Sequence, residues 1–133
     1  MTAAMPTAIA NWMRVAESAK PEDVPALLAD DCVFESPVVH TPQAGKAKST
    51  MYLQGALLVL NGEHFRYINT WYAERSAVLE FATEIDGVKI NGVDLIFWNE
   101  HDLITNFRVM LRPLKGINKV HEKMAEMLAA RGG

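Results

Sequence analysis

The chain predicts an α+β fold in which helices gather early and strands late. Three observations carry this. Apolar residues recur at helical spacing near the start, at Ile9, Trp12, Met13 and Ala16, and again over Lys46–Leu60. From Ser76 to Arg112 the pattern becomes alternation, interrupted by the turn signals Asp86-Gly87 and Asn99-Glu100-His101-Asp102. Segregation of this kind argues against a doubly wound sheet, which would interleave strands and helices. With 133 residues, half of them hydrophobic, the chain is one domain over 1–133. A domain of this size buries about two-thirds of its unfolded surface.

Taken in order, a first helix runs from about Pro6 to Ala19, where Lys20-Pro21 breaks it. Pro21-Glu22-Asp23 starts a short second helix, with proline in the first turn and carboxylates at the positive end of the dipole, ending near Asp30-Asp31. Cys32–Pro37 reads as a strand and Val38–Gly45 as a loop. The helix over Lys46–Leu60 is apolar around most of its circumference, which predicts burial. Asn61-Gly62 ends it with a left-handed cap, and a strand follows over His64–Tyr72. After the meander, Pro113 stops the sheet and Lys115–Ala130 forms a last helix.

The meander comprises Val78–Ile85, Val88–Trp98 and Leu103–Arg112. Asp86-Gly87 suits a two-residue type I′ turn, so Ile85 faces Val88; the four-residue loop sets Trp98 against Leu103. Cross-strand partners share a face. One face then carries Leu79, Phe81, Thr83, Ile85, Val88, Ile90, Gly92, Asp94, Ile96 and Trp98, completed by Leu103, Thr105, Phe107, Val109 and Leu111. A single ionisable group, Asp94, stands on it. Asn91-Gly92 could instead be a turn or a bulge, which would reverse every side chain beyond it. An isolated carboxylate on an apolar wall costs several kcal/mol to ionise. Asp94 is therefore held neutral, hydrogen-bonded, or placed in a cavity that uses it.

Net charge is −3, with 13 basic and 16 acidic residues spread along the chain, so nucleic acid is not an expected partner. The single Cys32 excludes an internal disulfide, and its acidic neighbours Asp30, Asp31 and Glu35 oppose a reactive thiolate. No His, Asp or Glu spacing matches a metal site, and neither metal nor cofactor is expected. The longest nearly uncharged apolar run, Met51–Leu60, is too short to span a bilayer. No export signal is visible, and the expectation is a cytoplasmic protein that does not engage membranes. The opposite sheet face mixes charges with Ala82, Val93, Leu95, Phe97 and Met110, a composition suited to a homodimer surface.

Across Leu27-Leu28-Ala29-Asp30-Asp31-Cys32-Val33-Phe34-Glu35-Ser36-Pro37, Gly45, Gly92-Val93-Asp94, Trp98-Asn99 and Phe107-Arg108-Val109, the chain resembles the nuclear-transport-factor-2-like superfamily, close to its SnoaL-like group. The resemblance covers nearly the whole chain. It implies a cone, a strongly curved mixed sheet wrapped around helices with a pocket on the concave face. Ketosteroid isomerases in this superfamily carry a carboxylate base before the proline of the first strand, where this chain has Ser36, and a first-helix tyrosine where it has Trp12. Their oxyanion-hole aspartic acid falls on Asp94, a family example of a carboxyl kept neutral by its apolar site. The resemblance to polyketide cyclases implies cofactor-free acid/base chemistry at Asp94 on a small apolar cyclic ligand. His40, in the loop after the first strand, is the second catalytic candidate; Trp12, Ser36, Tyr52, Trp71 and Phe107 are candidates to line the ligand. A pocket that binds without turnover, or a partner-binding domain, is the alternative.

Overall fold

The structure is a computed structural model that describes residues 4–130. Helix α1, Thr7–Ser18, ends at Ala19, whose φ of 52° closes it in the left-handed region. The predicted second helix is absent. Pro21–Asp23 and Pro25–Leu27 are two 3-10 turns, since Pro25 has no N–H to continue an α-helical ladder from the first turn. Strand β1 consequently starts at Leu28 and runs to Glu35, taking in the Ala29, Asp30 and Asp31 expected to lie before it.

The expected loop contains a two-residue strand β2, Gln43–Ala44, antiparallel to β1. Gly45, at φ 95°, then starts α2, Lys46–Leu60. The Ser49 hydroxyl donates to the Cys32 carbonyl at 2.8 Å and to that of Gln43 at 3.1 Å, fixing α2 against both strands. Burial pushes the Cys32 thiol up to about 11, with Asp31 a smaller contributor in the same direction. The left-handed cap predicted at Asn61-Gly62 does not form. Asn61 sits at φ −87°, and its side-chain amide donates to the Ala16 carbonyl of α1 at 3.3 Å.

Strands β3 (Arg66–Tyr72), β4 (Ser76–Ile85), β5 (Val88–Trp98) and β6 (Ile104–Arg112) follow, then α3 (Leu114–Ala130). The six strands form one sheet in the order β2-β1-β6-β5-β4-β3, mixed because β1 lies parallel to β6. The β4–β5 register is the predicted one, with Ile85 opposite Val88 and Asp94 opposite Leu79. Asp86 and Gly87 both take positive φ, as their turn requires. Asn91-Gly92 neither turns nor bulges. Gly92 pairs with Phe81 on one side and Leu111 on the other, and a Cβ there would lie 2.6 Å from the Met110 carbonyl and from the Phe81 ring.

One register differs from the prediction. Trp98 pairs with Ile104, not Leu103, because Thr105 is an extra residue between that pair and Phe97–Asn106. The bulge turns Ile104 into the core in place of Leu103 and Thr105, while Phe107 and Val109 keep their predicted inward face. The core lies between this face and the helices, with Phe34, Phe81 and Phe107 among its fully buried side chains. The outer face leaves Trp71, Phe97 and Met110 exposed. No helix among the described residues is long and apolar enough to cross a membrane.

Candidate active site

Asp94 is 4% exposed, on the inner face of β5 between Leu79 and Val109. Its neighbours were legible in the alternation, but its partner was not. The Tyr67 hydroxyl of β3 donates to Asp94 Oδ2 at 2.6 Å, and Trp12 Nε1 of α1 donates to the same Tyr67 oxygen at 2.8 Å. Indole and phenol thus donate in series to a carboxyl that accepts at the end of the chain. Each bond polarises the next.

Tyr67 reaches Asp94 because β3 carries a bulge. Tyr67 pairs with Phe81 and Asn69 with Glu80, leaving Ile68 as the extra residue. Counting back from Tyr72 opposite Ala77 without that bulge would set Ile68 against Phe81 and turn Tyr67 away. No residue pattern in His64–Tyr72 announces it, and Tyr67 is the functional candidate that sequence reasoning missed.

Burial raises the Asp94 pKa to about 7, and the Tyr67 hydrogen bond acts against it. Burial likewise pushes the Tyr67 phenol well above its usual range, with Asp94 adding to the effect, so Tyr67 remains a protonated donor at neutral pH. A carboxyl poised near 7 can take or give a proton with little bias, as general acid/base chemistry requires. Asp94 Oδ1 has no hydrogen-bond partner among the described residues and is not among their sealed polar atoms. Asp94 lines a cavity of about 10 Å³ together with Trp12, Leu53, Phe65, Phe81 and Phe107. That is room for about one water molecule. Phe65 and Asn61 line both this cavity and a groove of about 450 Å³, whose lining also includes Met13, Glu17, Arg66 and Tyr67.

The other predicted site residues divide by position. Trp12 and Phe107 share the Asp94 cavity, their rings 4.8 Å apart at an edge-on angle. Tyr52 stacks on Phe34 at 6.2 Å, half-buried and outside the residues lining that cavity. Ser36 and His40 line a different groove, of about 460 Å³, beside the 2.8 Å Glu35–Arg108 ion pair. There the Ser36 hydroxyl accepts from the Val38 N–H, a local turn contact, and His40 is exposed. Trp71 pairs with Val78, is 55% exposed, and stands on the outer face away from Asp94. Among the described residues no three His, Cys, Asp or Glu side chains come together as a metal site.

Protein-family profiles and curated proteins give no match to this chain. Solved structures do. A steroid delta-isomerase from Pseudomonas aeruginosa is 32% identical, covering 93% of this chain and 90% of its own, with a TM-score of 0.88. The chain belongs to the nuclear-transport-factor-2-like superfamily. A protein with a cystatin-like fold from Silicibacter pomeroyi is 29% identical over 94% of this chain and 87% of its own, at a TM-score of 0.86. A nuclear-transport-factor-2-like protein of unknown function from Mesorhizobium loti shares the fold at 19% identity, covering 80% of this chain and 88% of its own, with a TM-score of 0.68. The curved six-stranded sheet and its helices are the cone of this superfamily, and the fold supports a ligand-binding or isomerase-type protein. Within it, this chain places a β3 tyrosine and an α1 tryptophan in series with the buried carboxyl.

Proposed function

We propose that the chain is a cofactor-independent acid/base protein of isomerase or cyclase type, acting on a small apolar cyclic carbonyl compound. The observation that carries the reading is the Trp12–Tyr67–Asp94 chain, which ends on a carboxyl oxygen with no hydrogen-bond partner among the described residues, in a cavity whose lining is apolar apart from Asn61. In its ionised form Asp94 removes a proton from the carbon beside the ligand carbonyl; in its neutral form it returns that proton to a conjugated carbon. Tyr67 donates to the carboxylate between the two events and holds its pKa down toward neutrality. Trp12 keeps the phenol aimed. The 32% identity to a steroid delta-isomerase supports a flat cyclic ligand. Ser36 is no substitute base, since its hydroxyl is engaged locally and it lies in the other groove. Asp94 therefore carries both halves of the proton transfer.

A second reading, binding without turnover, is favoured by one observation. The space at Asp94 is about 10 Å³, too small for a ring. Deuterium exchange separates the two. Cyclic β,γ-unsaturated ketones, steroidal and monocyclic, are incubated with protein in heavy water and followed by proton NMR. Wild type should wash out the protons beside the carbonyl, and Asp94→Asn should slow exchange by roughly 10²- to 10⁴-fold while ligand-induced shifts persist. Exchange at the wild-type rate in Asp94→Asn sinks the catalytic role. Ligand shifts without exchange in wild type leave the binding reading standing.

A further inference from the structure

The outer sheet face carries a second concavity that the acid/base reading leaves unused. Strand register sets Arg66, Ala82, Asn91 and Arg112 in one row across β3, β4, β5 and β6. The next row holds Glu84 opposite Lys89. Neighbouring strands lie roughly 4.8 Å apart, so the two arginine backbones stand about 14 Å from one another. Ala82 between them is the short side chain in a row of long ones. Around it opens a basin of about 430 Å³, whose lining includes His64, Arg66, Glu84, Lys89 and Arg112. This volume is in the range of small-molecule sites.

Among the described residues, Arg66, Lys89 and Arg112 form no ion pair within 4 Å. Elsewhere Arg75, Arg108, Lys119 and Lys123 each meet a carboxylate within 4 Å. Lys89 has no ion-pair or hydrogen-bond partner among the described residues, and Glu84 makes no ion pair although it stands opposite Lys89. Among the described residues Arg66 donates only to the His64 carbonyl, at 3.5 Å. Arg112 is oriented by a hydrogen bond, with the Glu80 carboxylate interacting electrostatically but forming no ion pair within 4 Å. Its Nε donates to Asn91 Oδ1 at 2.8 Å, and the Asn91 amide is held by the Phe81 carbonyl at 2.9 Å and Glu80 Oε2 at 3.1 Å. Both Nη groups of Arg112 are left without a protein partner among the described residues. Arg66, Lys89 and Arg112 outnumber the nearby carboxylates, Glu84 in the basin and Glu80, which interacts electrostatically with Arg112, so cations stay in excess on a chain whose net charge is −3.

We infer that this basin binds a small oxyanion ligand carrying two or more negative charges, gripped by Arg66, Lys89 and Arg112 over Ala82. A planar guanidinium fixed at Nε keeps a fork of donors for phosphate or carboxylate oxygens, and prior orientation lowers the entropy lost on binding. The site lies on the other sheet face from Asp94, shares only Arg66 with the groove on the Asp94 side, and does not depend on the acid/base reading.

The test uses the full chain, titrated at fixed ionic strength with pyrophosphate and separately with citrate, by calorimetry and by side-chain nitrogen NMR. Saturable binding of one anion per chain is expected, with the Arg112 Nε–H signal shifting. Lys89→Gln and Arg112→Gln, both at exposed positions, should each weaken binding roughly tenfold or more. Asp94→Asn should bind as wild type. Tighter pyrophosphate binding assigns a phosphoryl ligand, and tighter citrate binding a polycarboxylate. Non-saturating shifts spread over all exposed lysines and arginines would overturn the proposal. So would wild-type affinity in both glutamine variants, or loss of binding in Asp94→Asn, which would move the anion to the Asp94 groove.

Discussion

Replacing Asp94 with asparagine should make the protein more stable at pH 8 and leave it close to wild type at pH 5. Burial raises the Asp94 pKa from 3.8 in the unfolded chain to about 7 in the folded one. Between those values the folded chain keeps a proton that the unfolded chain has released. Stability therefore falls as pH rises through the window, by about 1.4 kcal/mol per pH unit. Over about three units this amounts to about 4 kcal/mol, a ceiling that water entering the cavity lowers. Asparagine is isosteric with the neutral acid, and its amide oxygen still accepts the Tyr67 hydroxyl, so at pH 5 the exchange costs only about 1–2 kcal/mol. The assay is urea unfolding of both proteins from pH 4.5 to 8.5, followed by tryptophan fluorescence, with the difference in unfolding free energy plotted against pH. Other titrating groups are shared and cancel in that difference. A flat difference across the range, within about 0.5 kcal/mol, would refute the claim that Asp94 is a carboxyl ionised at a cost.

Two further substitutions test the wall around it. Tyr67→Phe removes the one hydrogen bond that lowers the Asp94 pKa and strands Trp12 Nε1 without its acceptor. The Asp94 titration, read by carboxyl carbon NMR, should move to higher pH, and stability should drop by about 1–3 kcal/mol. An unmoved midpoint would disconnect the phenol from the carboxyl. Gly92→Ala places a Cβ 2.6 Å from the Met110 carbonyl and the Phe81 ring, in the middle of the sheet. Backbone cannot yield as a flexible side chain can, so the expected loss is about 1–3 kcal/mol or more by thermal or urea unfolding. A neutral result would mean that β5 and β6 are not in this register.

The alternation of β4 and β5 together with Asp86-Gly87 set Asp94 alone on an apolar wall, subject to Asn91-Gly92, where only the structure showed that the strand runs on without a bulge. Turn chemistry fixes cross-strand pairs, and period two then assigns each side chain its face. Helices α1, α2 and α3 were legible for a similar reason, since 3.6-residue periodicity and proline breaks act within a few residues of each other. The tertiary structure alone decided what Asp94 touches. One extra residue at Ile68 turns Tyr67 inward, and β3 meets β4 with Trp71 on the far side. Another at Thr105 exchanges Leu103 for Ile104. A bulge leaves no mark in composition, because its stability comes from packing and hydrogen bonds supplied by distant residues, here Trp12 of α1 and Phe81 of β4. The same holds for His40 and Ser36, which share a loop region with the first strand but open onto the groove beside Arg108. Faces within a hairpin are a local matter. Which face of an edge strand meets a helix fifty residues away is decided only when the sheet has curled around its core.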